Sequence, residues 1–234
     1  MAEVIVALDY PSADEALALV EQLGEPGTFY KVGLELYTRC GPSFVESLAA
    51  LGKKVFLDLK LHDIPNTVAR AVRSAAELGV DLLTVHTAGG GTMLEAAAEA
   101  SGPDMRILGV TLLTSLTPTE LEAVWGREIR SIREEVGRLT DLAVQCELDG
   151  VVASALEASW VRSRVEPDFL VVTPGVRPVG GDVGDQKRVA TPAEAVAAGS
   201  DYLVVGRPIT QADDPAAAFA ALLAELTEDK TELA

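Results

Sequence analysis

Short apolar runs alternate with longer amphipathic stretches from one end of the chain to the other. The runs fall at 4–8, 29–32, 55–59, 82–86, 107–112, 151–153, 169–172 and 202–205. Each is too short for a buried helix and lacks the in–out alternation of a half-exposed strand. They read as strands covered on both faces, the pattern of a parallel sheet. Between them, apolar residues recur at helical spacing over 14–23, 42–51, about 66–78, 92–100, a longer stretch ending near Cys146, 155–164 and 215–226. Ser12 or Asp14 opens the first helix, the Gly41-Pro42 break precedes the second, and Gly79 stops the third. Between 112 and the helix ending near Cys146 lies a short turn-rich piece. Eight strand–helix units with no polar linker predict an α/β chain, a single (β/α)8 TIM-barrel domain over residues 1–234. A doubly wound open sheet is the rival with the same alternation. The irregular exception is 174–190, where four glycines accompany Arg177, Lys187 and Arg188. A structureless loop of that length suits a lid over an anion, and the plainer alternative is a variable surface loop.

Composition narrows the partners. The 234 residues are 48% hydrophobic, enough for a substantial core, and carry a formal charge of −17. Nucleic acid and anionic membranes need a basic face, so both are excluded as expected partners. An anionic substrate would need a local cluster of Lys and Arg set against this field. The two cysteines, Cys40 and Cys146, belong to no CxxC or Cys/His cluster. They read as buried or half-buried thiols in a reducing compartment. With no basic leader and no apolar run near membrane-spanning length, the expected location is cytoplasmic.

The polar exceptions gather where a barrel keeps its chemistry. Asp9, Lys31, Asp58, Lys60, His86, Thr111, Ser154, Thr173 and Arg207 sit at or just past the ends of the predicted strands. The C-terminal ends of the strands form the catalytic face of such a barrel. The densest stretch is FLDLKLHDIPNT, Phe56 to Thr67. Residues two apart on a strand share a side, so Asp58 and Lys60 project together. Lys31 ends the neighbouring strand. Opposite charges this close favour the ionised forms of both partners. A lysine held that way is a proton donor rather than a Schiff-base nucleophile. Asp63, before Ile64-Pro65, lies past the strand end and is carried off the barrel's own axis.

Phosphate is the second expectation. Loops after strands 7 and 8 often hold it in these barrels. Here they read Thr173-Pro174-Gly175 and Gly206-Arg207-Pro208-Ile209. Gly206 allows close backbone approach, and Arg207 adds a fork of donors. His86 and Gly89-Gly90-Gly91 hint at an anion nest or metal ligand. A metal needs three or four convergent ligands, though, and only His62 and His86 are available as histidines.

Taken together, VALD (Val6 to Asp9), KVG (Lys31 to Gly33), DLKLHDIPNT (Asp58 to Thr67), VHTAGG (Val85 to Gly90), LTS (Leu113 to Ser115), TPGVRP (Thr173 to Pro178), GDQKR (Gly184 to Arg188) and VGRPIT (Val205 to Thr210) resemble the orotidine 5′-monophosphate decarboxylase family over nearly the whole chain. The DxKxxD core is shared with sugar-phosphate relatives, and the Ile-Pro-Asn-Thr continuation is the decarboxylase's. The resemblance implies cofactor-independent decarboxylation of orotidine 5′-monophosphate to uridine 5′-monophosphate and carbon dioxide, in pyrimidine biosynthesis. It implies Lys60 as the acid protonating C6 of the base, Asp58 beside the departing carboxylate, and Lys31 bridging the charges and touching the ribose. Asp63 and Thr67 would reach into the partner's site of a homodimer. Asp9 would contact ribose, Thr114 and Ser115 the base, and Arg177, Gln186, Gly206 and Arg207 the phosphate. No metal or organic cofactor is implied. The rivals are a metal-dependent sugar-phosphate aldolase or decarboxylase on the same barrel, and a nucleotide-binding protein that has lost catalysis.

Overall fold

Strands buried on both faces leave unpaired edges unless the sheet closes on itself. The computed structural model describes residues 2–177 and 190–232, with side chains as far as Leu226. β1 (Glu3–Ala7) leads to α1 (Ala13–Leu23), β2 (Phe29–Gly33) to α2 (Leu34–Cys40) and α3 (Pro42–Ala50), and β3 (Lys54–Leu61) to α4 (Pro65–Glu77). β4 (Leu82–His86) is followed by a 3-10 turn (Thr87–Gly89) and α5 (Gly91–Ala100), then β5 (Arg106–Val110), α6 (Pro118–Trp125) and α7 (Ile132–Gln145). β6 (Gly150–Val152) precedes α8 (Ala155–Arg162), and β7 (Leu170–Pro174) precedes α9 (Pro192–Ala197). β8 (Tyr202–Val205) is followed by α10 (Arg207–Thr210) and α11 (Pro215–Glu232). Every strand is parallel to its neighbours, and β8 returns to pair with β1, Glu3 opposite Tyr202 through Val6 opposite Val205. That closure excludes the open doubly wound sheet.

Alternation along each strand divides the apolar residues between two cores. Ile5, Phe29, Phe56, Leu82, Leu108 and Val172 meet inside the barrel. Their chain neighbours Val6, Tyr30, Leu57, Leu83, Ile107 and Val171 join the larger core beneath the helices. The barrel is therefore filled in its lower part, and a site can exist only above that plug.

The predicted strands coincide with observed ones to within a residue or two, with two instructive differences. β3 runs on to Leu61, and the last predicted helix residues 163–164 lie beyond α8. Four short helices were not anticipated: α2, α6, α9 and α10. The turn-rich piece after β5 contains α6, started by a capping box in which Thr117 accepts from Glu120 N–H and the Glu120 carboxylate accepts from Thr117 N–H. Thr191 and Glu194 do the same for α9. Of the long loop, 178–189 lies outside the described residues. Its flanks are tied together, Arg177 N–H donating to Ala190 C=O at 2.9 Å.

One device recurs at the N-terminal end of the barrel. Asp81, Asp149 and Asp201 each stand one residue before β4, β6 and β8. Their carboxylates accept from the N–H groups of Val55, Ile107 and Val171 on the preceding odd strand, each at 2.7 Å. Their own N–H groups donate back to the carbonyls of the same three residues at 2.9, 3.1 and 2.8 Å. Each aspartate thus closes a ring where the sheet ladder would otherwise leave a buried N–H without a partner. Replacing Asp81 with Ala orphans the Val55 N–H, and should cost about 1–3 kcal/mol. Thermal unfolding should register a drop of about 2–4 °C in Tm per kcal/mol for a chain this size. An unchanged Tm would mean that water substitutes for the carboxylate.

Candidate active site

The site is built on the far end of β3. Leu57 is paired with Leu83, but Leu61 is paired with Val85, so four residues of β3 span two of β4. A register irregularity of this kind re-aims side chains at a barrel rim. Within it Lys60 has φ +50, a left-handed conformation that costs a residue with a side chain about 1–2 kcal/mol. Its N–H donates to the Thr84 hydroxyl at 2.9 Å. Thr84 in turn donates to Asp58 Oδ1 at 3.0 Å.

Four side chains, Asp9 just past β1, Lys31 on β2, and Asp58 and Lys60 on β3, form a row of alternating charge. Asp9 Oδ1 lies 3.0 Å from Lys31 Nζ, and Lys31 Nζ lies 3.8 Å from Asp58 Oδ2. Lys60 Nζ donates to both oxygens of Asp58 at 2.8 Å. Lys31 is only 8% exposed, so its charge requires these flanking carboxylates. Gly33 gives the ammonium its room, since a Cβ there would sit 3.0 Å from Lys31 Nζ.

The row forms one wall of a cavity of about 530 Å³. Ala7, Phe56, Val110, Val152 and Val204 make its floor from the top of the inner core, and Leu112, Leu113 and Thr114 contribute an apolar side. Pro174, Gly175, Arg177, Gly206, Arg207 and Gln211 complete the lining, with Gly206 close to Asp9. Among the described residues, this lining holds Lys31, Lys60, Arg177 and Arg207 with Asp9 and Asp58, four cations and two carboxylates. A chain of net charge −17 has therefore gathered a local positive excess. Arg177 is buried, with Nη1 donating to the Val176 carbonyl at 2.8 Å.

The predicted residues divide cleanly. Asp9, Lys31, Asp58, Lys60, Thr114, Arg177, Gly206 and Arg207 line this one cavity. Ser115 is exposed and outside the lining. So are Asp63 and Thr67, where Asp63 Oδ1 accepts from Ile64 N–H at 2.6 Å and Ile64 itself is 68% exposed. Gln186 lies outside the described residues. Three of the polar strand-end residues serve the scaffold. Thr111 donates to the Val152 carbonyl, Thr173 and Ser200 share a 2.7 Å hydrogen bond, and Ser154 caps α8. His86 is not in the lining. Burial lowers its pKa, with His62 and Lys60 pushing the same way. Among the described residues, no three His, Cys, Asp or Glu side chains gather where a metal ion could be held. Neither Thr84 nor Gln211 was anticipated. A lone Thr inside an apolar strand beside the one carrying Asp58 was the available signal for Thr84.

Comparison with known proteins agrees with this geometry. The family model described as Orotidine 5′-phosphate decarboxylase / HUMPS family matches residues 2–222. A protein of Vibrio atlanticus named orotidine 5′-phosphate decarboxylase is 49% identical over 222 residues, covering 93% of this chain and 95% of the relative. One of the same name from Streptococcus pneumoniae is 48% identical over 228 residues, covering 96% and 97%. The crystal structure of orotidine 5′-phosphate decarboxylase from Lactobacillus acidophilus superposes with a TM-score of 0.87 at 37% identity, covering 97% of this chain and 100% of that one. That of an uncharacterized conserved protein from Geobacillus kaustophilus gives 0.82 at 41%, covering 95% and 99%. With its barrel, its row of charges and a match across nearly its full length, the chain belongs to the orotidine 5′-phosphate decarboxylase / HUMPS family.

Proposed function

We propose that this protein decarboxylates orotidine 5′-monophosphate to uridine 5′-monophosphate, a step of pyrimidine biosynthesis. The observation that carries the reading is the Asp58–Lys60 pair, an ammonium held by both carboxylate oxygens at 2.8 Å in a cavity that Arg177 and Arg207 also line. The bond from C6 to its carboxylate breaks, the electron pair stays on C6, and carbon dioxide leaves. The resulting carbanion is poorly delocalised, so fixed positive charge must be in place before it forms. Lys60 supplies that charge and transfers one proton from Nζ to C6. Solvent then restores the proton to the amine. Asp58, close to the departing carboxylate, opposes the charged ground state, and Lys31 keeps Asp58 and Asp9 in register. Thr114 faces the base.

Arg177, Gly206 and Arg207 bind the phosphate in this reading, joined by Gln186 from 178–189. Their grip, distant from C6, contributes binding energy expressed in the transition state. The position of Asp63 and Thr67 outside their own cavity lining, beside exposed Ile64, supports a two-fold dimer in which each chain completes its partner's site. Free thiols at Cys40 and Cys146 suit a cytoplasmic enzyme. No helix among the described residues is long and apolar enough to cross a membrane.

Loss of absorbance from orotidine 5′-monophosphate on adding the pure protein tests the reaction itself, and no change would refute it. Full activity after treatment with a strong chelator and dialysis is expected. Activity lost and then restored by magnesium or zinc would instead favour a metal-dependent sugar-phosphate chemistry. Arg207→Ala should lower kcat/KM more than about tenfold, and the nucleoside lacking phosphate should be a very poor substrate. Equal turnover of nucleoside and nucleotide would disprove the phosphate assignment. Lys60→Ala and Asp63→Ala homodimers should each be severely impaired. After the two are unfolded and refolded together, half the dimers are mixed, and each has one intact site. About a quarter of wild-type activity should return. A mixture that exchanges subunits but stays inactive would show that Asp63 acts within its own chain.

A further inference from the structure

We propose that Thr84 is the positioning residue of this site, the one fixed post to which both the proton donor and its neighbouring carboxylate are tied. The proposal rests on the decarboxylation described above. Thr84 lies on β4, fully buried, and neither a charge nor a cavity-lining group. Its hydroxyl has one hydrogen to give and lone pairs to receive with. The Lys60 N–H at 2.9 Å takes a lone pair, so the hydrogen is free for Asp58 Oδ1 at 3.0 Å. One oxygen therefore fixes the backbone from which Lys60 projects, at φ +50, and one oxygen of the carboxylate that Lys60 holds.

The other donors to Asp58 cannot do this work during the reaction. Lys60 Nζ contacts both carboxylate oxygens at rest, but as its third proton passes to carbon it becomes a neutral amine, whose hold on a carboxylate is weaker. Lys31 Nζ stands 3.8 Å from Oδ2, too far for a good hydrogen bond, and is held by Asp9 at 3.0 Å. As the charge of Lys60 is drawn to C6, Thr84 is the donor that keeps Asp58 from turning away from the departing carboxylate. The same hydroxyl keeps the lysine backbone from relaxing out of its left-handed conformation, which would carry Nζ away from C6. A merely structural threonine would support folding. A positioning threonine supports the chemical step.

Thr84→Val keeps the branched shape and removes the hydroxyl, and Thr84→Ser keeps the hydroxyl and removes the methyl. Steady-state kinetics on the purified proteins should show kcat for Thr84→Val lowered about 10- to 100-fold, the effect of losing one hydrogen bond to a charged group. KM and the affinity for uridine 5′-monophosphate should stay within about threefold, because the ammonium, arginine and apolar contacts remain. Thr84→Ser should recover most of kcat whatever its Tm. If Thr84→Val does not fold, Thr84→Ala against Thr84→Ser makes the same comparison. A hydroxyl-free variant with kcat within about twofold of wild type would overturn the proposal, as would Thr84→Ser being as slow as Thr84→Val. So would a loss confined to KM. Wild-type protein with no decarboxylase activity would refute the reaction instead, which separates the two failures.

Discussion

Lys31 and Asp58 are charges that the barrel has removed from most of the solvent, and each is tolerable because opposite charges flank it on both sides. Burying a lone ammonium or carboxylate costs far more than a folded chain can spare, so such groups occur paired or not at all. Here the pairing runs as a row, Asp9 to Lys31 to Asp58 to Lys60, across the rims of β1, β2 and β3. Its order along the strands follows from parallel register, with Ala7 opposite Lys31 and Gly33 opposite Asp58. Removing any inner member leaves a neighbour buried with unbalanced charge. The row is consequently a structural unit as well as a chemical one.

The row also explains why the sheet is irregular where it is. An unbroken β3 would pair its final residues with β4 through backbone groups, leaving Lys60 in ordinary extended geometry. Two additional residues between Leu57 and Leu61 allow the strand to bend and place Lys60 beside Asp58 over the cavity. The strain at φ +50 is local, and it persists because the surroundings determine it from several sides. A perfectly regular β3 would not put the Lys60 ammonium beside Asp58 above the floor formed by Phe56.

The barrel was legible because its signal repeats. Runs without alternation, returning eight times, allow few arrangements of strands, and errors at single boundaries do not alter the topology. Asp58 and Lys60 were legible for a related reason, as charges inside an apolar strand with no packing role. The short helices were not. α2, α9 and α10 span seven, six and four residues, too few to display a helical period. Nor was Thr84, because threonine is an ordinary strand residue and its partners lie more than twenty positions away in sequence. Asp63 was legible as a misfit only. One chain gives it an exposed position and a bond to its own neighbour's N–H, so any wider role needs a second copy.

The two ends of the barrel divide the acidic residues by task. At the N-terminal end Asp81, Asp149 and Asp201 each accept from a backbone N–H group, a fixed partial positive, and Asp201 also pairs with Arg162. At the C-terminal end Asp9 and Asp58 are balanced by lysine ammoniums, which can move. A carboxylate held by backbone is static, whereas one held by a side chain can lose its partner at the moment a proton is transferred. The overall charge of −17 does not set the field at that second end. Surface charges beyond about 8 Å are largely screened at physiological ionic strength. Lys31, Lys60, Arg177 and Arg207 border the cavity itself, where little solvent intervenes. What an anion meets on entering is therefore the local excess of cations, and the acidic exterior is left to keep the protein apart from other polyanions.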